Sequence, residues 1–226
     1  MLINIISQRL PIGQTVIEIF VVVLAMMVNF IIHEMAHGWA AYALGDPTAK
    51  NDGRLSFNPM KHIDPFGALL ILLAGFGWAK PVMVNPRFFD KPKRDMALTS
   101  LAGPMSNFLL AFIAVGLMRL FPIDTAVTYI TSASPTVLSV LYSLVFNIAL
   151  INIGLGLFNL IPIPPLDGSK VLGAFLPDRL YWRFMQIERY GMFVLAGLLM
   201  LSRSGYLDVF GFIGAMRNGI LSVFAR

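Results

Sequence analysis

The stretch Val21-Val-Val-Leu-Ala-Met-Met-Val-Asn-Phe-Ile-Ile-His-Glu-Met-Ala-His37 decides the fold of this chain. It begins as an apolar run that is soluble in lipid and ends in the pattern His-Glu-x-x-His. On a helix, His33 and His37 lie one turn apart on the same face, so both imidazoles can bind one metal ion. Glu34 stands beside the first ligand, where its carboxylate can accept a proton from a water at the metal. Ionisable groups next to a long apolar run are costly in lipid, so the motif indicates a functional site.

The composition is that of a polytopic membrane protein. Hydrophobic residues make up 57% of the 226 residues and charged residues 13%, whereas a soluble domain carries about 25% charged residues. The length predicts a single membrane-embedded domain over residues 1–226. The chain has no cysteine, which excludes a thiol nucleophile, a thiolate zinc site and a disulfide. The net charge of +5 is spread over the loops, which predicts membrane topology and no nucleic-acid partner.

Three apolar stretches are long enough to cross a bilayer, and we place them at about 16–44, 96–121 and 137–160. At 1.5 Å per residue, the first is roughly 40 Å long and exceeds the ~30 Å hydrocarbon core. Residues 190–201 form a further apolar stretch after a helix-compatible run from 177, and 209–224 is either a short final span or an interfacial helix. These patterns predict an all-α polytopic membrane protein, with core helices over about 16–173 and one or two C-terminal helices over about 177–226.

The apolar segment Gly67–Gly77 is too short to span the membrane. Its glycine-rich end and the following Pro81 favour a short re-entrant or strand-like hairpin over a helix. Non-helical backbone at membrane depth is tolerated only where protein buries it or where it lines a wet cavity. The segment therefore implies a cavity. As a strand, its open edge could pair with an extended peptide; the alternative is a plug on the cytoplasmic side.

Lysine and arginine are distributed unevenly over the connections. Residues 45–95 hold eight and 162–190 hold four, whereas 1–15 and 121–136 together hold one. The positive-inside rule places the two basic regions in the cytoplasm. The first span then runs from outside to inside, and its metal motif lies toward the cytoplasmic side of a multi-pass protein of the cell membrane.

A third metal ligand is needed, because a catalytic zinc usually has three protein ligands and one open position. The remaining histidine, His62, stands in a polar loop and is better explained as a loop residue. Asp167 is the better candidate, since it follows the third span and would lie at the depth of the two histidines. Gly168 would let the backbone pass closely behind it. The alternative is that Leu-Asp-Gly is a plain turn that ends a helix.

Three segments together resemble the site-2 protease family of intramembrane zinc metalloproteases. They are His33-Glu-Met-Ala-His37 in an apolar helix, Asn159-Leu-Ile-Pro-Ile-Pro-Pro-Leu-Asp-Gly168, and Gly103-Pro-Met-Ser-Asn107, which matches the Gly-x-x-x-Asn element of that family. The resemblance covers about 16–173 and implies a three-helix catalytic core. The chain resembles the compact branch of the family, without a PDZ or nucleotide-sensing domain.

The resemblance implies one zinc ion per chain, held by His33, His37 and Asp167, with Glu34 as the general base. The activity it implies is a zinc endopeptidase that cleaves a peptide bond in or near the transmembrane segment of a single-span membrane protein.

The tetrahedral oxyanion of such a reaction needs further donors. Asn107 and Asn159 carry amides at or near apolar spans and could supply them. For each, the alternative is a hydrogen bond between helices of the bundle.

A second class of function uses the same polar cluster. A membrane transporter or ion carrier could employ the histidines and carboxylates as a transport site. Replacing Glu34 by Gln separates the two hypotheses, because only the protease hypothesis predicts cleavage that this change abolishes.

Overall fold

The structure, a computed structural model, describes residues 11–74, 79–121, 136–203, 211, 214 and 215. Within those residues the regular secondary structure is helical. In chain order the helices are α1 (Ile12–Ala43), α2 (Thr48–Asn51), α3 (Pro65–Ala74), α4 (Pro92–Met118), α5 (Val137–Asn159), α6 (Asp167–Phe175), α7 (Asp178–Ile187) and α8 (Gly191–Arg203).

Helices α1, α4 and α5 are long and apolar enough to cross a membrane. They contain 32, 27 and 23 residues, with mean hydropathies of 2.6, 1.8 and 2.0. Each overlaps one of the three predicted spans, so the predicted all-α membrane fold is confirmed. The predicted C-terminal helices are found as α7 and α8, whereas most of 209–224 lies outside the described residues.

Helix α4 lies at the centre of the bundle, where it packs against α1, α5 and α6. Its contact with α5 is made by small or slender buried side chains, Ala114 and Val115 on α4 and Ala149 on α5. Small side chains let membrane helices approach closely. Such close packing stabilises a bundle in lipid, because no hydrophobic force drives the helices together there. Across the α1–α5 contact, the fully buried Asn152 donates a hydrogen bond to Asn29. The bundle is thus held by close packing and buried amides.

The segment predicted as a hairpin is helical over Pro65–Ala74, so a strand-like form is wrong for those residues. The physical reason is that the residues at the start of this segment stabilise a helix more than its glycines destabilise one. The Asp64 carboxylate accepts a hydrogen bond from the Gly67 N–H at 2.9 Å, as an N-cap residue does, and Pro65 occupies the first helical position. Leucine and alanine, which are good helix formers, follow. The remaining residues, 75–77, lie outside the described part.

Candidate active site

Three side chains from two separate parts of the chain meet at one point. His33 Nε2 and His37 Nε2, on successive turns of α1, lie 3.1 Å apart. Asp167 Oδ2, at the first position of α6, lies 3.3 Å from each of them. The side chains of His33, His37 and Asp167 are 7%, 11% and 13% exposed. Within the described residues, this group offers three ligand atoms close enough to hold one metal ion.

The spacing of the three donor atoms fits zinc. Ligand atoms bound at about 2.0–2.1 Å in a tetrahedron lie roughly 3.3–3.4 Å from one another. The observed separations of 3.1, 3.3 and 3.3 Å come within a few tenths of an ångström of that value. Two imidazole nitrogens and one carboxylate oxygen also form a donor set that zinc accepts, with a fourth position left for water or substrate. The site therefore suits a catalytic zinc ion.

Both histidines have a hydrogen-bond partner on the ring nitrogen that faces away from the cluster. His37 Nδ1 lies 2.7 Å from the Thr99 carbonyl oxygen, and His33 Nδ1 lies 3.1 Å from Asn107 Nδ2. Thr99 and Asn107 are both on α4, two turns apart. Such partners fix the tautomer and the orientation of a metal-binding imidazole. Helix α4 therefore supports the ligands that α1 supplies.

The Asn107 side chain is fully buried, and its Oδ1 has no hydrogen-bond partner. If His33 binds a metal through Nε2, its Nδ1 carries the proton and requires an acceptor. Rotating the amide by 180° brings Oδ1 to that position, where it can accept the Nδ1 proton of His33. This orphaned oxygen is a second observation that fits a metal at Nε2. It also gives Asn107 a role in positioning His33, beside its predicted role as an oxyanion donor.

Two glycines make room for the cluster. A Cβ atom on Gly103 would lie 2.3 Å from His37 Nε2 and 2.7 Å from His33 Cε1. A Cβ atom on Gly168 would lie 2.2 Å from the Leu160 carbonyl oxygen. Glycine at 103 thus lets α4 pass directly beside the imidazoles. Glycine at 168 lets α6 start against the end of α5, as the sequence predicts.

The electrostatics of the cluster keep Asp167 ionised. Burial alone would raise the pKa of its carboxyl. The hydrogen bonds that the carboxylate makes with His33 and His37 nevertheless hold that pKa well below its usual range. An ionised carboxylate is the form that binds a metal.

Glu34 is held by the backbone of a distant segment. Its Oε2 accepts a hydrogen bond of 2.8 Å from the Val82 N–H. The Arg54 guanidinium is also close enough to interact with the Glu34 charge. Burial lowers the pKa of Arg54, and the carboxylates of Glu34 and Asp52 oppose that shift. The candidate base thus has a fixed orientation and a cation nearby.

The segment that carries the Val82 N–H is itself anchored on both sides. Arg54 donates hydrogen bonds to the carbonyl oxygens of Lys61 and Lys80. Beyond Val82, the Asn85 N–H donates to the buried Asp46 carboxylate at 2.7 Å. The sequence did not point to Arg54, Asp46 or Val82 as parts of the site. The sequence Asp46-Pro-Thr indicates only a local turn. The Val82 contact is made by a backbone N–H, which does not depend on the type of residue.

The two remaining side chains that the sequence predicts, His62 and Asn159, make their hydrogen bonds with backbone groups outside the cluster. His62 is 1% exposed, and its Nε2 donates to the Ser56 carbonyl oxygen at 2.7 Å. This contact favours the predicted loop role over a metal-ligand role. Asn159 donates from Nδ2 to the Leu155 carbonyl oxygen of its own helix at 3.1 Å. Its role as an oxyanion donor stays a prediction.

Comparison with known proteins identifies the family. Residues 21–202 match peptidase family M50, which is the site-2 protease family. The match includes the cluster, α4, α5 and α1 from residue 21 onward, so the chain belongs to this family of zinc metalloproteases. The predicted resemblance is confirmed. Family and fold together make the chain a multi-pass membrane protein, and they do not favour the transport alternative.

Among individual proteins, the chain is 41% identical over 203 residues to YwhC of Bacillus subtilis, a candidate zinc metalloprotease by name; the alignment covers 90% of each chain. It is 27% identical over 191 residues to Rip2 of Mycolicibacterium smegmatis, covering 81% of this chain and 68% of Rip2. It is 23% identical over 159 residues to the zinc metalloprotease MJ0392 of Methanocaldococcus jannaschii, covering 70% of this chain and 35% of MJ0392. No solved structure matches the chain.

Proposed function

We propose that this chain is an intramembrane zinc endopeptidase of the His-Glu-x-x-His type, which hydrolyses a peptide bond in or near the transmembrane segment of a single-span membrane protein. The observation that carries the proposal is the depth of the cluster. His33 lies ten residues before the end of α1, which is about 15 Å along the helix axis. The three predicted ligand side chains are also at most 13% exposed, which supports cleavage inside the helix bundle.

The residues of the cluster take distinct roles. His33, His37 and Asp167 would hold one zinc ion, which supplies Lewis-acid activation of the scissile carbonyl and of the attacking water. Glu34 accepts the proton of that water and passes it to the leaving amine. The Val82 N–H keeps the carboxylate in one orientation. Asn107 and Asn159 are the candidate donors to the oxyanion.

Substrate must reach this cluster as a chain that is locally unwound. In a helical substrate each carbonyl is bonded within the helix and is not free to react. Helix α3 cannot serve as an open strand edge over Pro65–Ala74, because its own backbone is helical. In the non-helical segment from Lys80 to Asn85, the Val82 N–H contacts the candidate base. We expect residues that weaken the substrate helix near the cleaved bond to raise the cleavage rate.

The membrane and the orientation are also part of the proposal. We expect the cluster to lie toward the cytoplasmic side of the cell membrane, because the lysine- and arginine-rich connections 45–95 and 162–190 should face the cytoplasm. A substrate bond cleaved there would release its product into the cytoplasm.

The test compares the membrane proteomes of hosts that produce the wild-type chain or Glu34→Gln, by mass spectrometry, followed by cleavage with purified protein. Cleavage products that depend on Glu34, from a chain that retains zinc, support the proposal. The matched control is Glu18→Gln, which removes the other α1 carboxylate, sixteen residues earlier and beside Ser143, and should leave cleavage intact. Altered ion movement with no cleavage by the wild-type chain would instead support a transport function.

A further inference from the structure

A groove of about 810 Å³ opens where the first turns of α4 meet α6. It is separate from the metal cluster, and the proposed mechanism does not use it. One part of its lining is predominantly cationic, formed by Lys91, Lys93 and Arg94 with the single carboxylate of Asp178. The other part is apolar, formed by Ala97, Leu98 and Leu101 of α4 and Val171, Ala174 and Phe175 of α6.

We propose that this groove binds one anionic phospholipid of the cytoplasmic leaflet. The phosphate would lie at the cationic part and an acyl chain along the apolar part. This inference rests on the membrane orientation given under the proposed function, which puts the basic connections on the side where anionic lipids face the cytoplasm.

The order of the lining along α4 matches the order of groups in a phospholipid. Lys91 precedes the helix and Leu101 lies ten residues further on, about 15 Å deeper along the axis. Leu98 is 46% exposed and Phe175 is 82% exposed, so both present apolar surface that a chain can cover. The groove therefore changes from cationic to apolar in the direction that runs from headgroup to hydrocarbon.

The charge of the groove matches a single phosphodiester. Lys93 donates to the Leu176 carbonyl oxygen at 2.6 Å and pairs with Asp178 at 2.9 Å. Arg94 pairs with the buried Asp95 at 2.6 Å. Three cations and these two acids leave a net charge of +1 on the groove (3 − 2 = 1), and Lys91, which also lies near the Asp95 charge, is exposed. One donor of Lys93 and one edge of Arg94 remain able to bond a phosphate oxygen.

An acidic peptide fits the groove less well than a lipid. A peptide would place backbone N–H and C=O groups against the leucine and phenylalanine side chains, which offer them no hydrogen bonds. A lipid presents polar atoms only at the cationic part. Basic pockets between membrane helices on the cytoplasmic side are also the form that anionic headgroup sites take.

The experiment measures lipid binding and does not depend on proteolysis. Purified, delipidated full chain in detergent is titrated with phosphatidylglycerol or with phosphatidylcholine of the same acyl chains, and native mass spectrometry counts bound lipids. We expect phosphatidylglycerol to bind first and at a stoichiometry of one. Lys91→Gln should weaken it about five-fold, the effect of one cation near an anionic lipid surface. Lys91→Arg should retain binding.

Arg87→Gln is the matched control, because it removes a cation from the same exposed connection without altering the groove lining. Equal weakening by Arg87→Gln would show general surface charge and overturn the proposal. So would equal binding of the two lipids, displacement of the lipid by glycerol phosphate alone, or binding of an acidic peptide in its place. Glu34→Gln should bind the lipid as the wild type does, so failure of the proposed proteolysis would leave this result unchanged.

Discussion

Replacing Gly103 by Ala tests how closely α4 supports the metal ligands. The added Cβ atom would lie 2.3 Å from His37 Nε2, whereas ordinary contacts begin at 3.4 Å. The imidazole must therefore move by about 1.1 Å (3.4 − 2.3), and zinc–ligand distances tolerate only about 0.2 Å. A displacement of about 1 Å in a catalytic group can cost roughly 100-fold in rate. We expect Gly103→Ala to lose zinc affinity and cleavage by at least that factor.

The assay is a zinc dissociation constant, measured by competition with a chromophoric chelator, together with helicity from circular dichroism. Gly116→Ala is the control on the same helix, since a Cβ atom there meets nothing within 4 Å. Alanine in place of glycine should favour a helix by about 0.5–1 kcal/mol, so both variants should remain helical. Wild-type zinc affinity in Gly103→Ala would refute the close approach of α4 to the ligands.

Three further predictions concern the supporting groups and the topology. Asn107→Leu should weaken zinc binding by about 10–100-fold, the usual effect of losing a partner behind a ligand; Thr99→Ala should leave it unchanged, because the carbonyl and not the hydroxyl contacts the imidazole. Val82→Pro removes the N–H that holds the candidate base, so cleavage should fall while zinc content stays at wild-type level; full activity would exclude a role for that bond. In a chain without cysteine, a thiol introduced at Met60 should label from the cytoplasm and one at Thr125 from the opposite side, and the reverse pattern would overturn the orientation.

The three spans and the ligand pair were predictable because each depends on local pattern. Long apolar runs define membrane helices by composition alone. The spacing of His33 and His37 places both on one helix face. Predicting Asp167 as a ligand required the presence of the His-Glu-x-x-His motif as well, since Leu-Asp-Gly alone is typical of a turn. The structure brings all three together at distances that suit zinc.

Helix α3 shows why glycine positions can mislead. The glycines at 75 and 77 follow the helical residues Pro65–Ala74 and do not interrupt them. The start signal, Asp64 before Pro65, is a stronger local determinant, because it satisfies a backbone N–H and fixes the first φ angle.

The supporting groups could not be predicted, because most of them act through the backbone or over long separations. The Thr99 carbonyl and the Val82 N–H are present in any residue, so their roles depend on the fold alone. Arg54 and Asp46 anchor segments that are 26 and 39 residues away. Such contacts follow from how the chain folds back on α1, which no local pattern specifies.

We propose that His33, His37 and Asp167 hold one zinc ion inside the helix bundle. Zinc K-edge X-ray absorption on the purified chain, together with the metal content per chain, tests this ligand set. We expect one zinc per chain, with two imidazole nitrogens and oxygen ligands at about 2.0–2.2 Å. Asp167→Ala should lose most of the metal, and His62→Ala should keep all of it. A three-imidazole spectrum, or full zinc in Asp167→Ala with loss in His62→Ala, would show that Asp167 is not the third ligand.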